Sequence, residues 1–220
     1  MRFADRSAAG QRLAAELSAY SGRADVTVLA LPRGGVPVAF EVARALKAPM
    51  DVFLVRKLGV PGHAELAMGA IASGNVQVLS DDLIEELRIP RLLVDAVADG
   101  ERRELERREQ LYRIGRPTLD LHGRLVIVVD DGLATGSTME AAIGALRRLG
   151  PSRIVVAAPV GAPETCRRLR SLADDVVCVE TPTPFNAVGL WYERFDQTTD
   201  EEVIALLREG AGGTAHSNVA

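Results

Sequence analysis

The stretch VVDDGLATGST, Val128 to Thr138, sets two carboxylates just ahead of two glycines, Gly132 and Gly136, and three hydroxyls, Thr135, Ser137 and Thr138. Glycines let a chain turn sharply and let its backbone approach a ligand closely. Where such a loop opens a helix, the free N–H groups and the helix dipole favour an anion. Asp130 and Asp131 would repel that anion, so they must face another part of the same ligand. Carboxylates accept hydrogen bonds, and a sugar diol offers two donors side by side. A ribose 5-phosphate combines both features: its phosphate suits donors at Ala134–Thr138, and its cis-diol suits acceptors at Asp130 and Asp131. The loop has no GxxxxGK[ST] lysine and no GxGxxG, so neither a Walker A loop nor a dinucleotide fingerprint fits.

Three further segments carry candidate chemistry. LPRGGVP brings Arg33, Gly34 and Gly35 to the end of an apolar strand. By itself this reads equally as a glycine turn before a helix. In VRKLGVPGHAE, Arg56 and Lys57 close another strand, a costly pair to leave at a sheet end without an anion. His63 follows in a polar loop. FNAVGLWYERFDQ is proline-broken upstream and aromatic; Phe185 and Trp191 could stack on a ring or simply pack the core.

These loops need strands and helices to position them. VTVLAL (26–31), DVFLVRK (51–57), RLVIVVDD (124–131), IVVAAPV (154–160) and DVVCVE (175–180) are near-continuous apolar runs. They alternate with helical patterns at 38–47, 138–150 and 163–173, which predicts a parallel sheet covered on both faces. Residues 6–20 read as a surface helix from Ala9, Leu13, Leu17 and Tyr20. MGAIAS and VQVLS are short apolar segments. Residues 81–115 change character: ERRELERRE spaces opposite charges three and four apart, the pattern of a helix with a solvated face. A short helix, DEEVIALLRE, precedes the tail.

Composition narrows the class. At 220 residues with 47% apolar and 25% charged residues, the chain can bury one substantial core. A net charge of -4 argues against a general nucleic-acid coat or an acidic-membrane binder. Cys166 and Cys178 stand outside any CxxC and read as reduced thiols, and the three histidines are scattered, so no zinc site is expected. The absence of a signal-like or membrane-length apolar run predicts a cytoplasmic protein.

With its apolar strand, paired acids and T-G loop, VVDDGLATGST resembles the phosphoribosyl-pyrophosphate (PRPP) signature of the type I phosphoribosyltransferases. The resemblance runs in strand order from about Val26 to Gln197, and only the three loops are motif-specific. The expected fold is α/β, a mainly parallel Rossmann-like sheet flanked by helices, with a helical insert at 81–115 and a C-terminal hood. The expected organisation is one domain over 1–209, its core at about 24–180 and its hood at 181–197 plus the C-terminal helix. A disordered tail is expected at 210–220.

The resemblance implies a glycosyltransferase of nucleotide salvage. It would move the 5-phosphoribosyl group from PRPP to a nitrogen nucleophile, a nucleobase, and release pyrophosphate. Arg33, Gly34 and Gly35 would form the pyrophosphate loop, with a non-proline cis peptide at Pro32–Arg33. Arg56 and Lys57 would stabilise the leaving charge, and Asp130 and Asp131 would anchor the ribose; these four make the catalytic set. Ala134, Thr135, Gly136, Ser137 and Thr138 would hold the 5-phosphate. Leu58–Leu66 would be a short lid, flexible at Gly59 and Gly62, with His63 reaching pyrophosphate. Trp191 and Phe185 would stack the base. Magnesium would be held mainly by ligand oxygens and water, without protein metal ligands. The insert could enlarge the hood, line the site or build a homodimer contact. The alternative function is a PRPP-sensing regulator of the same fold with little or no catalysis. The lack of a helix-turn-helix or strongly basic extension argues against a nucleic-acid partner.

Overall fold

The computed structural model describes residues 2–212, apart from the side chains of Ala64, Glu65, Ala211 and Gly212. Helix α1 (Arg6–Glu16) starts where Asp5 accepts a 2.9 Å hydrogen bond from the Ala8 amide, a side-chain cap of the kind that satisfies an orphan donor. It ends earlier than its apolar spacing suggests, and Ser18–Tyr20 form a 3-10 turn. There follow β1 (Val26–Ala30), α2 (Gly35–Leu46), β2 (Met50–Val52), β3 (Val55–Val60), β4 (His63–Ala72) and β5 (Val76–Leu79). Next come α3 (Asp81–Glu86), α4 (Arg91–Arg113), β6 (Leu125–Val129), α5 (Ser137–Arg148), β7 (Arg153–Val160), α6 (Pro163–Leu169), β8 (Asp175–Glu180) and α7 (Asp200–Gly212).

Five strands form one parallel sheet in the order β2-β1-β6-β7-β8. Central strands β1 and β6 are buried along their whole length. Their side chains alternate between two cores, as a period of two requires. Val26, Val28, Ala30, Leu125, Ile127 and Val129 pack with α1, α2, α4 and α7. Leu29, Val126 and Val128 pack with Met139, Ile143 and Leu146 of α5 and Leu169 of α6. Apolar residues at every position are therefore the consequence of helices on both faces.

Three details correct the sequence reading, and the helical insert agrees with it. The strand expected at 51–57 breaks at Phe53–Leu54: β2 stays in the parallel sheet, and β3 opens a separate antiparallel sheet, β3-β4-β5. The lid expected at Leu58–Leu66 is largely a β-hairpin turning at Pro61–Gly62, with Leu58 and Val60 buried in the core. The insert is helical as expected, in two pieces, DDLIEE and Arg91–Arg113, separated where Pro90 removes a backbone donor and disfavours helix at Ile89. Finally, α7 continues to Gly212, so the tail expected at 210–220 begins in a helix; residues 213–220 lie outside the described residues.

Cys166 and Cys178 are free thiols on α6 and β8, with sulfurs 3.2 Å apart. Among the described residues no helix is long and apolar enough to cross a membrane.

Candidate active site

The turn after β1 and the loop after β6 emerge side by side, because β1 and β6 pair in register from Val26–Leu125 to Ala30–Val129. They are at the carboxyl ends of parallel strands, where open α/β sheets bind ligands. The Pro32–Arg33 peptide is cis, as the resemblance implies. Gly34 and Gly35 are required by closeness rather than by dihedral angle. A β-carbon on Gly34 would stand 2.1 Å from Asp131 Oδ2, and one on Gly35 would stand 2.7 Å from the Val129 carbonyl. The PRGG turn thus rests directly on the acidic pair.

Each acid keeps one oxygen in a local bond. Asp130 Oδ1 accepts the Asp131 amide at 2.9 Å. Asp131 Oδ2 accepts a hydrogen bond from Arg6 Nε at 2.8 Å, and Arg6 Nη2 forms an ion pair with the same oxygen at 2.8 Å. Burial, reinforced by the charge of Asp131, pushes the Asp130 carboxyl well above the usual carboxylate range. Burial also pushes Asp131 up, although the Arg6 guanidinium opposes it. Two carboxylates this close favour a state with less than two full charges.

The rest of VVDDGLATGST wraps the start of α5. Gly136 adopts φ +73°, a left-handed conformation that glycine takes at no steric cost, and no side chain caps the helix. The first-turn amides of α5 are therefore left without a side-chain acceptor. The loop is tied down from α6: Thr165 Oγ1 donates to the Ala134 carbonyl at 2.6 Å, and Arg168 donates to the Thr135 carbonyl. Ser137 and Thr135 hydroxyls lie 3.3 Å apart, and Thr138 is exposed.

The basic pair separates, as neighbours on a strand must. Lys57 Nζ donates to Ser137 Oγ at 3.2 Å, at the start of α5. Arg56 turns toward α4 and bonds Glu101 Oε2 at 2.6 Å. Arg56 nevertheless lines one cleft with Pro32, Thr138, Leu105 and Arg108. Arg33 stands 3.7 Å from Asp200 at the start of α7. His63 is exposed at the hairpin tip.

In the hood, Phe185 and Trp191 are partly buried against the cluster of Phe3, Ala9, Val160 and Tyr192. Two other aromatics connect to the acidic pair, one directly and one through Arg6. Tyr192 Oη donates to the Asp131 carbonyl at 2.6 Å, and burial pushes its hydroxyl pKa up. Phe195 stacks beside Tyr192, ring centroids 4.9 Å apart, and carries the Arg6 guanidinium 4.0 Å above its ring. Sequence reasoning missed Arg6, Tyr192, Phe195 and Arg108. Tyr192 and Phe195 were visible in the same aromatic run; Arg6 is 125 residues from its partner and gave no local signal.

The PRGG turn, the acidic loop and the start of α5 thus meet at the carboxyl ends of the parallel strands. The phosphoribosyl transferase domain family matches residues 4–194, and the chain belongs to that family. A Mycobacterium tuberculosis protein with a provisional phosphoribosyl transferase name is 49% identical over 205 residues, 93% of this chain. The chain spans about half, 46%, of that relative's length. The crystal structure of TT1426 from Thermus thermophilus superposes with a TM-score of 0.86 at 45% identity, covering 95% of this chain and 99% of that one. Adenine phosphoribosyltransferase of Pseudoalteromonas translucida is 41% identical over 68 residues, 28% of this chain and 38% of that one.

Proposed function

We propose that the chain transfers the 5-phosphoribosyl group of PRPP to a nitrogen nucleophile, a nucleobase, with release of pyrophosphate. The observation that supports this reading is the close packing of the PRGG turn on the acidic pair, where a β-carbon added at Gly34 would fall 2.1 Å from Asp131 Oδ2. It makes one continuous surface from amide donors at one end to carboxylate acceptors at the other.

In the reaction the bond from C1 to the pyrophosphate oxygen breaks and a bond from C1 to the acceptor nitrogen forms. C1 becomes more positive as the leaving group departs. Asp130 and Asp131 hold the ribose hydroxyls and favour that charge. Lys57, Arg56 and Arg33 favour the negative charge gathering on pyrophosphate. The α5 amides, Thr135, Ser137 and Thr138 fix the 5-phosphate. Rate enhancement then comes from positioning and electrostatics, without a covalent enzyme intermediate. Among the described residues no group of three or more His, Cys, Asp or Glu side chains could hold a metal ion. A magnesium ion would arrive on PRPP, bound by ligand oxygens and water, and would offset pyrophosphate charge. On the acceptor side the proposed base contacts are Trp191 and Phe185.

A pyrophosphate-release assay with PRPP, magnesium and a panel of purine and pyrimidine bases tests the reading. Release that depends on one base supports transfer. PRPP binding with no release on any base would assign the site to PRPP sensing instead.

A further inference from the structure

We propose that Arg108, supplied by the helical insert, binds the pyrophosphate of PRPP. The inference rests on the transfer reading above. It begins with a stripe on α4: Glu101, Leu105, Arg108 and Tyr112 recur at spacings of four, three and four, so they share one helix face. That face looks at the site. Glu101 binds Arg56, Tyr112 donates to Asp200 beside Arg33, and Leu105 and Arg108 line the cleft with Pro32, Arg56 and Thr138. The cleft therefore joins the cis turn, the basic strand end and the start of α5, and the insert forms its outer wall.

Arg108 is also held less firmly than its neighbour Arg107. Glu104 is shared by two guanidiniums. Arg107 grips both of its oxygens, Nε to Oε2 at 2.8 Å and Nη2 to Oε1 at 3.0 Å. Arg108 makes a single bond, Nε to Oε1 at 2.8 Å. When Arg108 turns to an anion, Glu104 keeps its fork with Arg107. The two arginines differ in exposure as well: the Arg107 side chain is 58% exposed and that of Arg108 32%. Arg107 faces solvent while Arg108 faces the cleft. Arg33 and Arg56 are likewise held by carboxylates, Asp200 and Glu101. Three guanidiniums around one turn, each with an internal counter-ion, suit a ligand of high negative charge, and guanidinium forks match phosphate oxygens.

Calorimetric titration with two probes, magnesium pyrophosphate and ribose 5-phosphate, separates the ends of the site. Arg108→Ala is expected to weaken pyrophosphate about tenfold or more and to leave ribose 5-phosphate within about twofold. Arg107→Ala, which disturbs the same Glu104, is expected to change neither. Unchanged pyrophosphate affinity in Arg108→Ala overturns the proposal, as does an equal loss for ribose 5-phosphate. A wild-type protein that binds neither probe overturns the transfer reading itself. Should Arg108→Ala fail to fold, Arg108→Lys carries the test: a point charge replaces the fork, pyrophosphate weakens by about threefold, and an unaltered affinity overturns the assignment.

Discussion

At the scale of single residues, the acidic pair is held in tension. Burial disfavours charge on Asp130 and Asp131, and Arg6 is the cation that opposes it at Asp131. Groups facing Asp131 are Asp130, Arg6 and, at its backbone carbonyl, the Tyr192 hydroxyl, so removing Arg6 takes away the charge and the side-chain hydrogen bond that oppose burial. The Asp131 pKa then rises further. Ribose hydroxyls are held best by an ionised carboxylate, so binding is lost as pH falls through that pKa. Arg6→Gln is therefore expected to move the acid limb of PRPP binding to higher pH, and Arg6→Lys to move it less. Affinity measured across pH checks this; identical profiles for the two variants would contradict it. Asp130 gives a second expectation. Its folded pKa lies above its unfolded value, so the folded state binds the extra proton between the two, and stability falls as pH rises through that window. Asp130→Asn should raise Tm at neutral pH while weakening PRPP more than about tenfold; a lowered Tm would contradict the burial argument. The pair was legible because its members adjoin in sequence and sit next to a glycine–hydroxyl loop. Arg6 was not, since only the fold brings it there.

Elements set how firmly the loops interlock. The PRGG turn and the acidic loop leave no room for a β-carbon at Gly34, 2.1 Å from Asp131 Oδ2. Gly34→Ala must push one loop off the other, at about 1–3 kcal/mol for an overpacked contact. The expected result is a modestly lower Tm with PRPP binding nearly abolished; wild-type affinity would show that the two loops act independently. The parallel strands were legible because both faces are apolar and each ends at a chemical loop. The β3-β4-β5 sheet was not. MGAIAS and VQVLS are too short to separate strand from buried loop, and Phe53–Val55 continues the apolar run of β2 into β3 without a breaking residue. The hairpin register is interrupted at Gly59, which hid its strand character behind a glycine-containing, loop-like stretch.

For the whole molecule, two cores meet across one sheet, and the site lies at its rim. Ile127 is fully buried on β6, between the strands that carry the PRGG turn and the α6 anchor. Ile127→Ala should cost about 2–5 kcal/mol of stability in a denaturant melt, with PRPP affinity kept wherever the variant remains folded. The insert was legible as helix from its charge spacing, but its position was not: a helix with an acidic–basic surface reads as solvated until its packing is known. Its apolar residues Val94, Ala98 and Leu105 join the main core, which turns a charged face toward the cleft. The account as a whole depends on one sugar being gripped by carboxylates at one edge and by the α5 amides at its phosphate. The most direct measurement is calorimetric titration of magnesium PRPP into the wild-type protein and into Asp130→Asn/Asp131→Asn. The account predicts saturable one-to-one binding in the wild type and a loss of about a hundredfold or more in the double variant. Equal affinity in the two proteins would contradict it.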